Sequence, residues 1–481
     1  MDLNVVVTQF QDLSPSLQHD LLWDLVQKCE VLQLRRIYCK MTMLLSYDFV
    51  SQLPSELVQR IFSFVDAQTL CRAAMCCKAW RQCTNDNTLW HKLCRRKNWL
   101  VFGRLNDPSW SEETRPFSPT TKAQYSPKMF RKGLLQPPMC QWKLVYMKVC
   151  MLSMHWENGV YRMCPLLKAH REPITAMDCD GSVLVTGSKY GTAKLWDITE
   201  HKCTCTFEDC HSDEVTCVVM KDGLVATGCA DGAVRVFTIQ GGHCIHKFQA
   251  HSVSVECICF DGHVVISGGD EGSLFIWDVK TGQPLHSLEG HTDGIKCMAT
   301  DNDLLVSGSW DKTLRVWNTK LGICRNVLSQ HSEGIYCCLF NNKWIISGGG
   351  DGLVILWDTT TGLHRLTLSG HTEEIYCLQS NDQVIVSGSA DSTIRLWSYA
   401  GHCVHVLQGH IGVVRCVHLV GDRLISAGDC KKVMVWNTKG GRLLHTVHKQ
   451  QTKVHLLWAD DTRIVTIPPD PPGVISIVNY W

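Results

Sequence analysis

The stretch that decides the fold is residues 291–317, HTDGIKCMATDNDLLVSGSWDKTLRVW. GIKCMAT alternates apolar and polar residues as a β-strand does, LLVSGS is a second strand and LRVW a third. DND and WDKT separate them as turns, and LGICRNVL after the next turn predicts a fourth strand. The stretch begins at His291 and ends at Trp317, and it predicts a small antiparallel sheet of four strands.

This unit recurs about every 40 residues from residue 170 to the C-terminus. Seven histidines begin the repeats, at spacings of 39 to 41 residues: His170, His211, His251, His291, His331, His371 and His410. An aromatic residue follows each by 26 residues: Trp196, Phe237, Trp277, Trp317, Trp357, Trp397 and Trp436. A four-stranded sheet cannot bury both of its faces alone, so the period predicts blades that stack radially in a β-propeller.

The two ends of the repeat region are expected to close the ring. The segment from His448 to Trp481 is a degenerate eighth repeat that supplies about three strands, TKVHLLWADDTRIVTIPP and GVISIVNYW. GVYRMCPLLKAH, just before the first complete repeat, is expected to add the fourth. Eight blades is the preferred count, and seven is the alternative.

Composition agrees with a globular chain of more than one domain. The chain has 481 residues and a formal net charge of +1, so no bulk charge favours nucleic acid or an anionic membrane. No apolar run reaches 18 residues, and the N-terminus lacks the pattern of a signal peptide. The 27 cysteines in so long a chain favour a reducing compartment, the cytosol, the nucleus or both.

The repeats resemble WD repeats, in which a histidine, a strand serine, a turn aspartate and a tryptophan form a hydrogen-bonded chain inside each blade. The resemblance is complete in two repeats: His291, Ser307, Asp311, Trp317, and His371, Ser387, Asp391, Trp397. The second and fifth repeats keep the aspartate as Asp231 and Asp351. Tyr190, Glu271 and Cys430 replace it in the first, third and seventh, which are therefore expected to be less rigid.

These repeated histidines and cysteines are predicted to be structural, and no metal or other cofactor is expected. A packed sheet needs a buried polar chain to satisfy its polar atoms. The cysteines that share one position in the first strand are expected to be small apolar core residues: Cys217, Cys257, Cys297, Cys337, Cys377 and Cys416. The groups Cys203, Cys205, Cys210 and Cys76, Cys77 lack the paired spacing of a zinc site.

The first 100 residues predict helices. Ser14 and Pro15 mark the start of one helix, whose apolar residues fall on one stripe, and a second helical run covers about residues 31–45. Two alternatives stay open for this pair, part of a core or a self-association surface.

Residues 53–93, LPSELVQRIFSFVDAQTLCRAAMCCKAWRQCTNDNTLWHKL, closely resemble an F-box. The resemblance is carried by Leu53-Pro54-x-Glu56-Leu57, an Ile/Phe-rich turn and Lys78-x-Trp80. It implies that the first helices bind a Skp-type adaptor. The matching positions are Leu53, Pro54, Leu57, Ile61, Phe62 and Phe64.

The whole chain resembles the F-box and WD-repeat substrate receptors of cullin-RING (SCF) ubiquitin ligases, most nearly the cell-division-cycle-four type. A dimerisation segment before the F-box, here residues 14–45, and a stalk helix within residues 141–159 fit that type. The resemblance implies a non-catalytic subunit with an all-α N-terminal F-box and stalk, followed by an all-β WD-repeat propeller that binds protein targets. Cullin and RING subunits would be reached through the adaptor. A non-degradative F-box scaffold is the alternative.

The chain is predicted to divide into four segments: 1–46, which is helical; 47–100, the F-box; 101–158, a linker with an insert and the stalk; and 159–481, the propeller. The insert at about 103–139 is rich in proline, serine and threonine and is expected to be a loop or disordered linker. Ser118 and Ser126 precede prolines there, as kinase sites often do, but such dipeptides are common in linkers.

The target-binding residues are expected on the top face of the propeller, five residues after each repeat histidine and just before each turn aspartate. In the family, arginines at such positions bind phosphorylated targets, because guanidinium pairs bidentately with phosphate. The candidates here are Lys189, Lys296, Trp310, Tyr336, Tyr376, Arg415 and His455. The arginine cluster is missing, which puts doubly phosphorylated targets in doubt. We hypothesise a peptide read by an aromatic floor with a charged anchor at Arg415 or Lys296; the alternative is that the aromatics only plug the channel mouth.

Overall fold

A computed structural model describes residues 8–45, 48–103, 140–164, 167–168, 170–207, 211–249, 251–301, 303–341, 343–447, 453–468 and 471–481. The chain divides into two compact units, Met1–Cys150 and Met151–Trp481, called here the helical unit and the propeller. The insert with Ser118 and Ser126 lies outside the described residues, as does Cys210. None of the described helices is long and apolar enough to span a membrane.

The helices have the following bounds: α1 Pro15–Gln27, α2 Val31–Leu45, α3 Phe49–Gln52, α4 Ser55–Phe62, α5 Ala67–Ala73, α6 Lys78–Thr84, α7 Asn87–Arg96 and α8 Gln141–Asn158, with a 3₁₀ turn at Trp99–Gly103. The predicted start at Pro15 and the predicted second helix at 31–45 are confirmed. The division into four segments stays a prediction.

The core of the helical unit lies among α3 to α7. It consists of Val50, Val58, Phe62, Leu70, Ala73, Leu89 and Trp90. Asp66 and Asp86 begin α5 and α7, and each side chain accepts hydrogen bonds from two backbone N–H groups of the helix that follows. Such caps satisfy donors that have no partner within a helix, so the sequence itself sets where these short helices begin.

Helix α1 contributes nothing to that core, since none of its residues is buried. Leu17, Leu21, Leu22 and Leu25 are exposed, as is Trp23. Within the described residues, the apolar stripe of α1 is therefore not part of a core, which was one of the two alternatives for it.

Seven blades are four-stranded antiparallel sheets formed by consecutive strands. Blades one to four have the following strands: β3 Ile174–Cys179, β4 Val183–Ser188, β5 Ala193–Asp197, β6 Lys202–Phe207; β7 Val215–Lys221, β8 Leu224–Cys229, β9 Ala233–Thr238, β10 Cys244–Gln249; β11 Val255–Phe260, β12 Val264–Gly269, β13 Leu274–Asp278, β14 Pro284–Leu288; and β15 Ile295–Asp301, β16 Leu304–Ser309, β17 Leu314–Asn318, β18 Ile323–Leu328.

Blades five to seven continue the pattern, with these strands: β19 Ile335–Phe340, β20 Trp344–Gly349, β21 Val354–Asp358, β22 His364–Leu368; β23 Ile375–Ser380, β24 Val384–Ser389, β25 Thr393–Ser398, β26 Cys403–Gln408; and β27 Val414–Val420, β28 Arg423–Gly428, β29 Val433–Asn437, β30 Arg442–Val447. The second strand of each blade is buried almost throughout and the fourth alternates. Neighbouring blades cover both faces of the second strand, whereas solvent reaches the fourth.

Blade eight joins the two ends of the propeller. Its strands are β31 Leu456–Ala459, β32 Arg463–Ile467, β33 Val474–Asn479, β1 Arg162–Met163 and β2 Leu167–Lys168. Both β1 and β2 pair antiparallel with β33. The innermost strands contact one another in order round to β31 and back to β3, which closes a ring of eight blades. The preferred count and the predicted closure by the two ends are both confirmed.

The helix before the ring carries a buried tryptophan near its C-terminal end. Trp156 of α8 is 0% exposed and stacks on Tyr480, with ring centroids 3.6 Å apart. Its Nε1 donates to the carbonyl oxygen of Asp461 at 2.7 Å. Trp156 thus fastens this end of α8 to the last blade within the propeller.

Candidate functional site

The buried histidines form structural chains, as the sequence analysis expects. In blade four, His291 Nδ1 lies 2.7 Å from Asp311 Oδ2 and Nε2 lies 2.8 Å from Ser307 Oγ, to which Trp317 donates. Burial lowers the pKa of His291, so the imidazole is neutral at pH 7. A neutral imidazole with both nitrogens bonded is a packing element of the blade, not a base exposed to a substrate.

Blade two breaks the pattern even though it keeps its aspartate. Nδ1 of His211 is buried without a hydrogen-bond partner, while Asp231 accepts from Ser212 Oγ at 2.6 Å. In blades one, three and seven, by contrast, the histidine finds a substitute partner in Thr192, Glu271 or Cys430. The chain of hydrogen bonds is therefore interrupted in blade two, and the lower rigidity expected of blades one, three and seven stays a prediction.

His211, Cys229 and Asp231 also bring three ligand atoms within 4.8 Å of one another, a group that the sequence analysis missed. Burial raises the pKa of Cys229 to about 12 and lowers that of His211 to about 4, so both are neutral at pH 7. Cys229 stands where Ser309 stands in blade four, and its thiol and the Asp231 carboxylate already interact. The group is a variant of the blade's polar chain, and it is the one place where the described residues assemble three candidate metal ligands.

The repeated cysteines of the first strands pack against the blade cores, as expected, and most of them also donate a hydrogen bond to the next blade. Sγ of Cys337 lies 3.7 Å from the carbonyl oxygen of Ile375, and Sγ of Cys377 lies 3.7 Å from that of Val414. Burial raises the pKa of Cys377 to about 12, which keeps its thiol protonated as a donor. The cysteines whose side chains are described form no disulfide with one another.

The top face is built by two kinds of loop that the backbone ties together. In each of the first seven blades, the residue before the turn aspartate position donates its N–H to a carbonyl of the loop after the repeat histidine, as Trp310 does to Gly294 and Gly350 to Gly334. The two predicted series of top-face residues therefore lie side by side.

In each of the first seven blades, a β-bulge in the innermost strand presents the residue five after the histidine. The pairing register skips from Ile335 to Cys337 and from Ile375 to Cys377, so that Tyr336 and Tyr376 are left outside the ladder. The other bulged residues are Thr175, Thr216, Glu256, Lys296 and Arg415. Bulges commonly re-aim a side chain beside a functional site, and the sequence pattern alone did not reveal these.

Five of the top-face residues form one continuous contact, called here the top-face arc: Trp310, Tyr336, Tyr376, Arg415 and Asp429. Trp310 meets Tyr336 edge-on, with ring centroids 4.9 Å apart, and Tyr336 lies 5.2 Å from Tyr376. The guanidinium of Arg415 lies 5.6 Å from the centroid of the Tyr376 ring. The aromatic patch expected over blades four to six is therefore present in the structure.

Two of the cationic candidates, Arg415 and Lys296, pair with carboxylates. Arg415 donates from Nε to Oδ1 of Asp429 at 2.8 Å, and Lys453 Nζ lies 3.5 Å from Oδ2 of the same carboxylate. Lys296 pairs with Glu256 at 2.9 Å. Asp429 and Lys453 were not among the candidate residues. Asp429 could have been found from the sequence, because the two top-face positions of blade seven carry opposite charges.

His455 and Lys189 lie at the edge of this site. His455 lies at the surface, but its imidazole is partly shielded from water. This shielding has the largest effect in lowering its pKa, and the positive charge of the nearby Arg415 lowers it further. This places His455 beside Arg415, as expected. Lys189 is exposed, and its ammonium makes no ion pair in the described part of the chain.

The F-box candidates divide into an exposed set and one core residue. Leu53, Leu57, Ile61 and Phe64 are 37%, 48%, 41% and 79% exposed, and Pro54 is exposed beside them. Phe62 is 3% exposed and packs edge-on against Trp80. Since its side chain faces the core, we leave Phe62 out of the proposed adaptor surface; exposed Met75 is an apolar residue that the sequence analysis missed.

Two family models match the chain, an F-box-like model at residues 50–96 and the WD domain, G-beta repeat. The second matches at 162–197, 201–238, 242–278, 282–318, 322–358, 362–398 and 401–437, more than half of the chain. The chain belongs to the WD-repeat family. Its helical N-terminal region carries an F-box-like domain ahead of an eight-bladed propeller.

Among curated relatives, one carries both features in its name and others are named as SCF subunits. The chain is 29% identical over 180 residues to F-box/WD repeat-containing protein 7 of Drosophila melanogaster, which covers 37% of this chain and 12% of that protein. It is 28% identical to the probable E3 ubiquitin ligase complex SCF subunit sconB of Arthroderma otae, over 39% of this chain and 28% of the relative. The probable E3 ubiquitin ligase complex SCF subunit scon-2 of Neurospora crassa is 24% identical, over 33% and 32%.

These matches cover less than a third of each relative's own length. Among solved structures, the computationally designed Ika8 protein matches 65% of this chain and 98% of its own at 29% identity, with a TM-score of 0.62.

Proposed function

We propose that this chain is a non-catalytic substrate-recognition subunit of an SCF-type E3 ubiquitin ligase. The observation that carries the proposal is the combination, on one chain, of an F-box-like domain with an exposed apolar face and a propeller with an open top-face arc. Such a subunit makes no bonds itself; it raises the local concentration of a target lysine near the conjugating enzyme.

The adaptor surface proposed here follows one side of α4. Leu57 and Ile61 are four residues apart, so they share one helix face, and Leu53 lies just before the helix. Phe64 extends this face just beyond the helix end, and Pro54 begins the helix. Exposed apolar side chains in such a row are typical of a partner-binding surface, and a Skp-type adaptor, with cullin and RING subunits beyond it, is the partner that the family implies.

The test compares two pairs of exposed apolar residues in the helical unit. Leu57→Ala plus Ile61→Ala should abolish co-purification of a Skp-type adaptor with the full chain, with little change in thermal unfolding. The matched control is Leu21→Ala plus Leu25→Ala, which removes side chains of 44% and 56% exposure elsewhere. Adaptor retained by the Leu57/Ile61 variant, or lost equally from both, contradicts the proposal.

Self-association through residues 14–45 is a second part of the proposal. Leu22, Trp23 and Val26 of α1 face Leu34 and Ile37 of α2 across a groove of about 460 Å³, with His19 and Tyr38 at its edges. A second copy of the same two helices is the occupant that would cover their exposed apolar residues. Trp23→Ser should convert a dimer of the full chain to a monomer in sedimentation velocity, and a wild-type monomer at micromolar concentration would refute this part.

Target binding is proposed for the top face, with Lys189, Lys296 and His455 at the border of the top-face arc. Trp310→Ala plus Tyr376→Ala should lower the affinity of the full chain for captured targets and leave adaptor binding intact. Unchanged target binding favours the alternative in which the aromatics only plug the channel mouth. A chain that binds the adaptor and a target without any ubiquitin transfer would be the non-degradative scaffold. Location in the cytosol or nucleus stays a prediction.

A further inference from the structure

The aromatic part of the top-face arc is bordered by carboxylates. Glu333 and Glu374 lie on the loops that precede the strands bearing Tyr336 and Tyr376. Burial, the neighbouring Tyr376 and then these two carboxylates raise the pKa of the Tyr336 phenol, which places both acids within electrostatic reach of its ring. No arginine or lysine pairs with either carboxylate within the described residues.

Small neighbouring residues make room for Trp310 and leave the faces of the tyrosine rings uncovered. A β-carbon on Gly334 would lie 2.6 Å from Cε3 of Trp310, so the glycine permits the indole to lie against this loop. A β-carbon on Gly350 would lie 3.2 Å from both Tyr336 Cε2 and the β-carbon of Glu333. Gly350 and Ala390 occupy the position that Trp310 fills in blade four, so no bulky side chain from that position covers the tyrosines in blades five and six.

The arginine at the basic end of the arc is already paired with a carboxylate. Nε and Nη2 of Arg415 lie 2.8 and 3.4 Å from the two oxygens of Asp429. A phosphate would need the same donors and would meet the Asp429 carboxylate as a like charge. Lys296, the other cation considered as an anchor, is paired with Glu256.

One ring of the top-face arc already contacts a cation of the chain. The Arg415 guanidinium lies over the face of Tyr376, where the ring quadrupole attracts a cation. Tyr336 and Trp310, beside Glu333, offer the same kind of surface with no cation of the chain on it in the described residues.

We propose that the target segment read at Trp310, Tyr336 and Tyr376 carries a cationic side chain, arginine or lysine, whose charged end contacts these rings and pairs with Glu333 or Glu374. This inference rests on the proposed function, since it names the chemistry of the segment that the propeller of a substrate receptor would hold. Aromatic faces and unpaired carboxylates are complementary to a cation, whereas a phosphate fits neither.

The test uses the full chain, with and without a Skp-type adaptor, and a positional-scanning array of synthetic peptides. Each position is filled in turn by each natural residue, by phosphoserine and by phosphothreonine. One position should select arginine or lysine over glutamine by at least about tenfold. Glu333→Gln plus Glu374→Gln should abolish the selection. Asp213→Asn plus Glu214→Gln, which removes two carboxylates from the corresponding loop of blade two, should preserve it.

Selection of phosphoserine or phosphothreonine that disappears with Arg415→Ala overturns the inference, and so does the absence of any selection for a cation. Adaptor retention is measured on the same preparations. Cation selection by protein that binds no adaptor would leave this inference standing and refute the ligase proposal, so the two failures are distinguishable.

Discussion

Arg415 donates a hydrogen bond from Nε to Oδ1 of Asp429 at 2.8 Å, and both residues belong to blade seven. The Asp429 bond, which outweighs the effect of partial burial, raises the pKa of Arg415, and Arg415 in turn lowers that of Asp429. The one arginine at a family-type position is thus held by a carboxylate of its own blade, which changes what the top face can bind.

Removing this carboxylate should create phosphate binding. With Asp429→Asn, the Arg415 guanidinium has no anionic partner in its blade, and we expect a phosphoserine peptide to bind several-fold more tightly in fluorescence anisotropy. Stability should change by less than about 1 kcal/mol, because the pair is partly exposed. Asp422→Asn, which removes the exposed partner of Lys439 at 2.6 Å, is the matched control. Equal phosphopeptide affinity of wild type and Asp429→Asn would show that Asp429 does not restrict this site.

Restoring the acid in blade seven should stabilise the propeller. His410 Nδ1 lies 2.7 Å from Cys430 Sγ, where blades four and six have an aspartate at 2.7 and 2.8 Å. Cys430→Asp supplies a stronger acceptor and should raise the free energy of unfolding by about 1 kcal/mol. Cys430→Ser, which keeps a neutral acceptor, should give little change. A lower melting temperature for Cys430→Asp than for wild type would mean that burying the carboxylate destabilises the blade by more than its hydrogen bond to His410 stabilises it.

Acid should destabilise the propeller through its buried histidines. Burial lowers the pKa of His170 and of His410 from 6.5 to about 4, so the unfolded chain binds more protons between these values. Their contribution is therefore complete above pH 6.5 and is lost as the pH falls to about 4, at a cost of up to roughly 3 kcal/mol per imidazole. Urea unfolding at pH 7.5, 6 and 5 measures this slope.

A variant separates these histidines from other acid effects. His410→Gln should unfold more readily at pH 7.5 but with a flatter dependence on pH, whereas the exposed His402→Gln should keep the wild-type slope. Parallel slopes for all three proteins would exclude His410 as a source of the acid sensitivity.

Trp156, which lies outside the repeats, should contribute several kcal/mol to the stability of the propeller. Trp156→Ala removes a fully buried indole, its stack on Tyr480 and its bond to Asp461, and should cost about 3–5 kcal/mol in chemical unfolding. Trp156→Phe retains part of the stack and should cost less. Trp310→Ala, at a site that is 38% exposed, is the control and should cost the least. Similar losses for the two alanine variants would contradict the role assigned to Trp156.

The propeller and the helices that precede it were predictable from the sequence, which favoured eight blades over seven. Period-two alternation, a 40-residue period and capping residues such as Asp66 act over short stretches of chain, and a repeat can bury its faces only against other copies of itself. The aromatic patch was predictable for the same reason, since equivalent positions in successive blades must be neighbours. The F-box motif likewise gave the exposed positions Leu57 and Ile61.

Which polar side chains meet depends on the packing of distant segments. His211 and Asp231 have the same spacing as His291 and Asp311, yet only the second pair is bonded, and Asp231 accepts from Ser212 instead. The burial of Phe62, the β-bulges at Tyr336 and Tyr376 and the pairing of Arg415 with Asp429 likewise depend on contacts between segments. Hydrogen bonds and ion pairs form over about 3 Å, so their partners are set by the packed positions of loops, which no sequence period fixes.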